Sequence, residues 1–135
     1  MEKTSELLIY LMACSLQGTK PEEALLANID MEALLRLAKA HSVSAMVCMA
    51  LEQTDAFQHT TETTRLKWLD SKNKAIRKNM LLDAERHQLE KEFAEHGIWY
   101  MPLKGSILKD WYPKFGMREM ADNDILFDAT RRQQV

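Results

Sequence analysis

A long segment without helix-breaking residues dominates this sequence. Residues 62–96 contain neither glycine nor proline, which predicts one continuous helix that Gly97 would end as its C-terminal cap residue. At 1.5 Å per residue the helix would reach about 50 Å, longer than a domain of this size is wide. We therefore expect it to pack along other elements or to form a dimer seam. The seam would use the apolar side chains at near-heptad intervals, Leu66, Leu69, Ile76, Met80, Leu82, Leu89 and Phe93.

The residues before the long segment are predicted to form a small helical bundle. Apolar side chains recur there at helical spacing, and capping residues precede several of the runs. For the first helix, Thr4 or Ser5 is the candidate N-cap. The predicted helices cover residues 4–16, a short stretch from Pro21, a segment capped by Asp30, and residues 44–51. Together with the long helix they make residues 1–96 a helical region.

After Gly97 the pattern changes from helical to extended. Residues 98–101 form a compact apolar and aromatic run ended by Pro102, which predicts a buried strand. A short helix is expected over residues 107–111, and residues 125–127 predict a second strand. Residues 130–135 would begin a further element.

These patterns predict an α+β fold that is predominantly α. A helical bundle with one long helix occupies residues 1–96, and a partial β-α-β unit occupies residues 97–135. Two short strands alone are marginally stable. The unit is therefore interpreted as truncated.

Charge, cysteine content and hydropathy narrow the function classes. The net charge of -2 gives no electrostatic footprint for nucleic acid or a lipid surface. Cys14 and Cys48 lie in helical apolar contexts without metal-ligand spacing, so buried thiols in a reducing compartment are predicted. The longest apolar run, residues 7–14, is too short to span a bilayer. We expect a cytoplasmic protein that binds neither membrane nor nucleic acid.

Two aspartates one residue apart precede the second predicted strand. On an extended backbone Asp122 and Asp124 would share one face, with Asn123 on the other. Carboxylate oxygens so arranged suit Mg2+, which takes one or two carboxylates and completes its octahedron with water and substrate phosphate. Aspartates also cluster at strand entrances for reasons of turn geometry. The pair is a candidate metal site.

A glycine turn between the first strand and the short helix is the second candidate. Gly105 lets the backbone approach a ligand, and Ser106 follows at the helix start, where exposed N–H groups favour phosphate. The alternative is an ordinary strand-to-helix turn, since the Walker A order is absent. Lys104 and Arg118 bracket the segment and carry charge suited to phosphate, although single basic residues in loops are often only solvated.

The order of these residues resembles a known family. The run LKGSILKDWYP at residues 103–113, Arg118, and DNDIL at residues 122–126 resemble the uncharacterised bacterial nucleotidyltransferase family of the polymerase-beta-like nucleotidyltransferase superfamily. The resemblance covers about residues 97–128. Such proteins are similar in carrying a helical region before the catalytic sheet. Asn123 departs from the superfamily, which tends to place an apolar residue between the two aspartates.

The resemblance implies a site for an ATP-like nucleoside triphosphate. Asp122 and Asp124 would hold Mg2+, and the turn of Gly105 and Ser106 would hold the β and γ phosphates. An acceptor hydroxyl would attack the α phosphate and pyrophosphate would leave. Lys104 and Arg118 would stabilise charge.

The resemblance also implies that part of the site is missing. Superfamily enzymes use a third carboxylate from a later strand, and Asp128 lies too near to replace it. The sequence is interpreted either as the N-terminal part of a longer protein or as a natural short form. The alternative function is a non-catalytic helical module that forms a homo-oligomer through residues 62–96. For an enzyme, the acceptor could be a protein side chain, an aminoglycoside-like molecule, a sugar or an RNA end, with RNA disfavoured.

Overall fold

The long helix predicted from the glycine- and proline-free segment is present. The fold is taken from a computed structural model that describes residues 2–128, 130 and 131. The predicted element at residues 130–135 lies mostly outside this range. The long helix, α5, spans Glu62–Glu95. Gly97 follows it at φ +63°, and the N–H groups of Gly97 and Ile98 donate to the carbonyls of Ala94 and Phe93. This is the Schellman pattern, which glycine favours.

The predicted bundle precedes α5. Its helices are α1 (Glu2–Gln17), a short 3-10 helix (Glu23–Leu26), α2 (Met31–Ala40), α3 (Ser44–Leu51) and α4 (Asp55–His59). The prediction for Asp30 is confirmed, since its carboxylate accepts hydrogen bonds from the N–H groups of Glu32 and Ala33. The cap predicted for α1 is wrong: the helix already begins at Glu2, so Thr4 and Ser5 lie inside it.

The main apolar core lies among α1, α2, α3 and the first turns of α5. Every residue of α3 is buried, which fits its lack of a polar face. Trp68 of α5 is fully buried in this core, and its indole N–H donates to the Met31 carbonyl at 3.2 Å. The predicted buried thiols, Cys14 and Cys48, are free and belong to the same core. Burial raises the pKa of the Cys48 thiol.

The second half of the chain forms the predicted strand, helix and strand. Its elements are β1 (Tyr100–Leu103), α6 (Gly105–Leu108), a 3-10 turn (Lys109–Trp111) and β2 (Asp124–Phe127). The strands are antiparallel, and Tyr100 pairs with Phe127 and Leu103 with Asp124. The fold is therefore α+β and predominantly α, as predicted.

The first strand differs from its prediction at residues 98–101. It begins two residues later because Ile98 is used in the Schellman turn after α5, where it is buried. It also runs through Pro102, which a strand at a sheet edge tolerates. The strand is also not buried as predicted: Trp99 and Met101 are exposed, and the other residues of the strand are half-buried.

The covered face of the sheet packs on the end of α5. The Phe93 ring lies 5.7 Å from the Tyr100 ring and 5.9 Å from the Phe127 ring, measured between centroids. Aromatic contacts of this kind add roughly 0.5–1.5 kcal/mol each to the energy of burial. The strands are therefore held by the helical half of the chain. Within the described residues, no helix combines the length and apolarity needed to cross a bilayer.

Candidate functional site

Strand pairing brings the glycine turn and the aspartate pair together. Leu103, the last residue of β1, pairs with Asp124, the first residue of β2. Lys104 follows directly, and its Nζ lies 3.2 Å from Asp124 Oδ2. The sheet register thus places two candidates, twenty residues apart in sequence, in direct contact.

The backbone of Lys104 has an unusual conformation. Its φ of +53° and ψ of -127° correspond to the first central position of a type II′ turn, which glycine normally occupies. Its carbonyl accepts hydrogen bonds from the N–H groups of Ile107 and Leu108 and so begins α6. A side chain held in such a region costs about 1–3 kcal/mol, and strain of this kind clusters at functional sites.

Gly105 packs closely against the side chains of Arg118 and Met120. A Cβ at position 105 would lie 3.1 Å from Met120 Sδ and 3.2 Å from Arg118 Nε. The Arg118 carbonyl accepts a hydrogen bond from Asn79 Nδ2 of α5 at 3.1 Å. Arg118 Nε is shielded from solvent and has no hydrogen-bond partner in the described part of the chain. The guanidinium group predicted to stabilise phosphate therefore packs on the glycine turn.

Ser106 is buried and has a positioning role in this structure. It is 3% exposed, and its hydroxyl donates to Asn123 Oδ1 at 3.2 Å. Asn123 Nδ2 donates in turn to the Leu82 carbonyl of α5 at 2.8 Å. The Ser106 carbonyl accepts a hydrogen bond from Arg86 Nη1 at 3.0 Å. The turn and the residue between the two aspartates are therefore tied to each other and to α5.

A charged cluster behind the turn was not predicted from the sequence. Arg86 is buried and lies 3.4 Å from carboxylate oxygens of both Asp83 and Glu90. Buried Lys109 lies 3.0 Å from Asp83 and 2.8 Å from Asp110. Burial alone lowers the pKa of Lys109, but hydrogen bonds to both carboxylates outweigh it and raise the pKa above its ordinary value. The cluster connects α5 to the helix that follows the turn.

One pattern in the sequence could have revealed part of this arrangement. Asn79, Arg86 and Phe93 are spaced seven residues apart, and all three are buried on one face of α5. Two of them are polar, which is unusual for a buried stripe. Polar residues that recur every seven positions on a long helix, in line with an apolar residue, thus indicate that polar groups from another part of the chain pack against that face.

The aspartates themselves are accessible. Asp122 is exposed and has no hydrogen-bond or ion-pair partner among residues 2–128, 130 and 131. The Asp124 side chain is 37% exposed. Asn123 points toward α5, and Asp124 begins β2, whereas Asp122 precedes the strand. Within these residues no group of three or more His, Cys, Asp or Glu side chains that could hold a metal ion occurs.

The segment before the aspartates is fixed to the helical bundle. Met117 is buried against Met46 and Met49 of α3. Glu119 Oε1 accepts hydrogen bonds from Ser44 Oγ at 2.9 Å and from the Ala45 N–H at 3.2 Å. Glu119 thereby caps α3, whose own N-cap residue makes no side-chain cap. The position of the aspartates thus depends on the bundle as well as on the sheet.

Comparison with known proteins identifies the family. A model described as uncharacterised nucleotidyltransferase matches residues 27–135, which include α2 to α6, both strands and every candidate site residue. The chain belongs to this nucleotidyltransferase family. The predicted resemblance to an uncharacterised nucleotidyltransferase family is therefore confirmed, whereas the polymerase-beta-like superfamily and the bacterial origin stay predictions. No curated protein and no solved structure matches the chain.

Proposed function

We propose that this nucleotidyltransferase-family chain carries a Mg2+-dependent site of the polymerase-beta-like kind. The reaction would transfer a nucleotidyl group from an ATP-like triphosphate to an acceptor hydroxyl. The acceptor oxygen bonds to the α phosphorus. The bond between the α phosphorus and the oxygen that bridges the α and β phosphates breaks, and pyrophosphate leaves. The observation that carries the proposal is the contact between Lys104 Nζ and Asp124 Oδ2, because it joins the glycine turn to the aspartate pair.

The donor chemistry of the aspartate pair fits Mg2+. Asp122 and Asp124 present accessible carboxylate oxygens, the hard ligands that this cation prefers. Bound Mg2+ would stabilise negative charge on the phosphoryl oxygens. Asn123 lies between the two aspartates, and its side chain is held by Ser106 and Leu82, which fixes the backbone that carries both carboxylates.

The basic residues at the turn suit a triphosphate. The Lys104 side chain is 76% exposed, so its ammonium group is free to turn from Asp124 toward a phosphate oxygen. Arg118 packs on Gly105, and its guanidinium group adds positive charge beside the turn, although its Nε is shielded from solvent. Guanidinium groups bind phosphate through charge-assisted hydrogen bonds. Ser106 supports the turn through its buried hydrogen bond rather than through an exposed hydroxyl.

The alternative, a helical module that forms a homo-oligomer, has less support from the geometry. Of the apolar residues predicted to form a seam on α5, Phe93 is buried within the chain. Leu69, Ile76, Leu82 and Leu89 are half-buried there, while Leu66 and Met80 are exposed. Two exposed side chains fourteen residues apart do not form a continuous stripe. The accessible aspartates beside the glycine turn therefore favour the nucleotide site.

Isothermal titration of ATP with Mg2+ tests the proposal. Binding should require Mg2+ and should be lost in Asp122→Ala and Asp124→Ala. Asp128→Ala is the matched control, since it removes the same charge from an aspartate that binds Thr130 instead. Equal binding in all four proteins, or none in the folded wild type, would refute the nucleotide site.

A further inference from the structure

A second cavity, separate from the aspartate pair, is lined by lysines. Its volume is about 430 Å³, and it lies between the end of α2, the middle of α5 and residues 119–121. Ligand pockets typically have volumes of about 300–1,000 Å³. The polar residues on its wall are three lysines, three serines and one glutamate: Lys39, Lys74, Lys78, Ser42, Ser44, Ser71 and Glu119.

The charge of this cavity is unbalanced. Lys39 and Lys78 have no carboxylate partner among the residues that the structure describes, and Lys74 pairs with Asp70 at 3.0 Å on the same helix. The one acidic lining residue is Glu119. Its carboxylate is already engaged by Ser44 and by the first turn of α3. Against this one carboxylate, the two ammonium groups without a carboxylate partner leave an excess of positive charge that would attract an anion.

The lysines come from two separate elements, so the fold rather than local sequence brings them together. Lys39 lies in the last turn of α2, and Lys74 and Lys78 are one turn apart on α5. The chain reverses after α2 through Ser42, which has a φ of +56°. Ser42 lines the cavity together with Lys39. Ammonium and hydroxyl groups are donors that bind a phosphate or carboxylate.

We infer that this cavity binds a small anionic ligand, such as a phosphate ester or a carboxylate, at a site distinct from the proposed metal site. Neither Asp122 nor Asp124 lines it. Ala121 lines both this cavity and a neighbouring one of about 450 Å³ that includes Asp122. The anion would therefore lie close to the aspartate pair without competing for its carboxylates. The inference does not require the proposed function.

Titration with inorganic phosphate in the absence of Mg2+ tests the site. We expect binding to weaken about tenfold in the double variant Lys39→Ala/Lys78→Ala, since each lost ammonium group removes a partly exposed charge contact. Lys20→Ala/Lys91→Ala is the matched control, because it removes the same charge from two exposed lysines outside the cavity. Circular dichroism of each variant establishes that it is folded.

The outcomes separate this site from the nucleotide site. Phosphate binding that is lost only in Lys39→Ala/Lys78→Ala and is retained in Asp122→Ala/Asp124→Ala supports the inference. Equal weakening in the two lysine variants would show general attraction to a solvated basic surface and would overturn it. Loss in the aspartate variant alone would assign the anion to the turn and also overturn it. Failure of ATP binding with Mg2+ would refute the proposed function and leave the phosphate result unchanged.

Discussion

Replacing Asn123 with alanine should lower the free energy of unfolding more than replacing its exposed neighbour Asp122 would. Asn123→Ala removes the acceptor of the buried Ser106 hydroxyl and the donor to the Leu82 carbonyl. Each hydrogen bond contributes about 1 kcal/mol, and a buried hydroxyl left without a partner costs more. We expect the free energy of unfolding to fall by about 2–3 kcal/mol. Urea denaturation followed by circular dichroism measures this change.

A double-mutant cycle isolates the contact that positions the aspartates. Ser106→Ala removes only one of the two hydrogen bonds, so it should cost about 1 kcal/mol. Both single variants lose the hydrogen bond between Ser106 and Asn123, but the double variant Ser106→Ala/Asn123→Ala loses it only once. Its loss of stability should therefore be about 1 kcal/mol smaller than the sum of the losses in the two single variants. Asp122→Ala is the neighbouring control, since Asp122 is exposed, and it should leave stability within about 0.5 kcal/mol. A change below that value for Asn123→Ala, or strict additivity in the cycle, would refute the reasoning.

Three further predictions concern the turns and the charged cluster. In thermal melts, Gly116→Ala should destabilise the protein by about 3 kcal/mol and Gly18→Ala by about 1 kcal/mol. Both glycines have positive φ, but only at position 116 would an added Cβ meet another side chain, at 2.5 Å. Lys104→Gly should raise stability by about 1 kcal/mol through release of backbone strain yet weaken binding of ATP with Mg2+, and a loss of stability would contradict the strained turn. The hydrogen bond from Lys109 lowers the pKa of Asp110, so the stability it provides is present above the ordinary carboxyl pKa and is lost as the pH falls below about 4. The difference in free energy of unfolding between wild type and Lys109→Met should accordingly become smaller as the pH falls below about 4. A difference that stays constant would show that the contact between Lys109 and Asp110 does not contribute this stability.

Part of the candidate site was predictable because its chemistry lies in short, contiguous runs. The glycine turn follows a strand and opens a helix, and the aspartates precede an apolar run, so both could be placed on local elements. Lys104 was predicted as a phosphate ligand, but its contact with Asp124 depends on the register of two strands separated by twenty residues. The sequence contains no local signal for that register.

The supporting residues were missed for a different physical reason. Arg86 and Asp83 lie in a charge-rich part of α5 whose composition carries no signal of burial, yet Arg86 is buried and Asp83 is half-buried beside the turn. Arg86 pairs with Asp83 and Glu90 on the same helix. Lys109, from a distant part of the chain, compensates Asp83 for its lost hydration. That partner is visible only once the helix and the turn are packed together.

The sequence by itself determined the helices, the two strands and the family. Helix bounds depend on glycine, proline and capping residues within a few positions, and the order of short motifs sufficed for the family resemblance. The tertiary structure alone decided which polar residues support the aspartate pair and which lysines share a cavity. Local conformation follows from interactions between near neighbours, whereas burial of charge and convergence of side chains depend on contacts between distant parts of the chain.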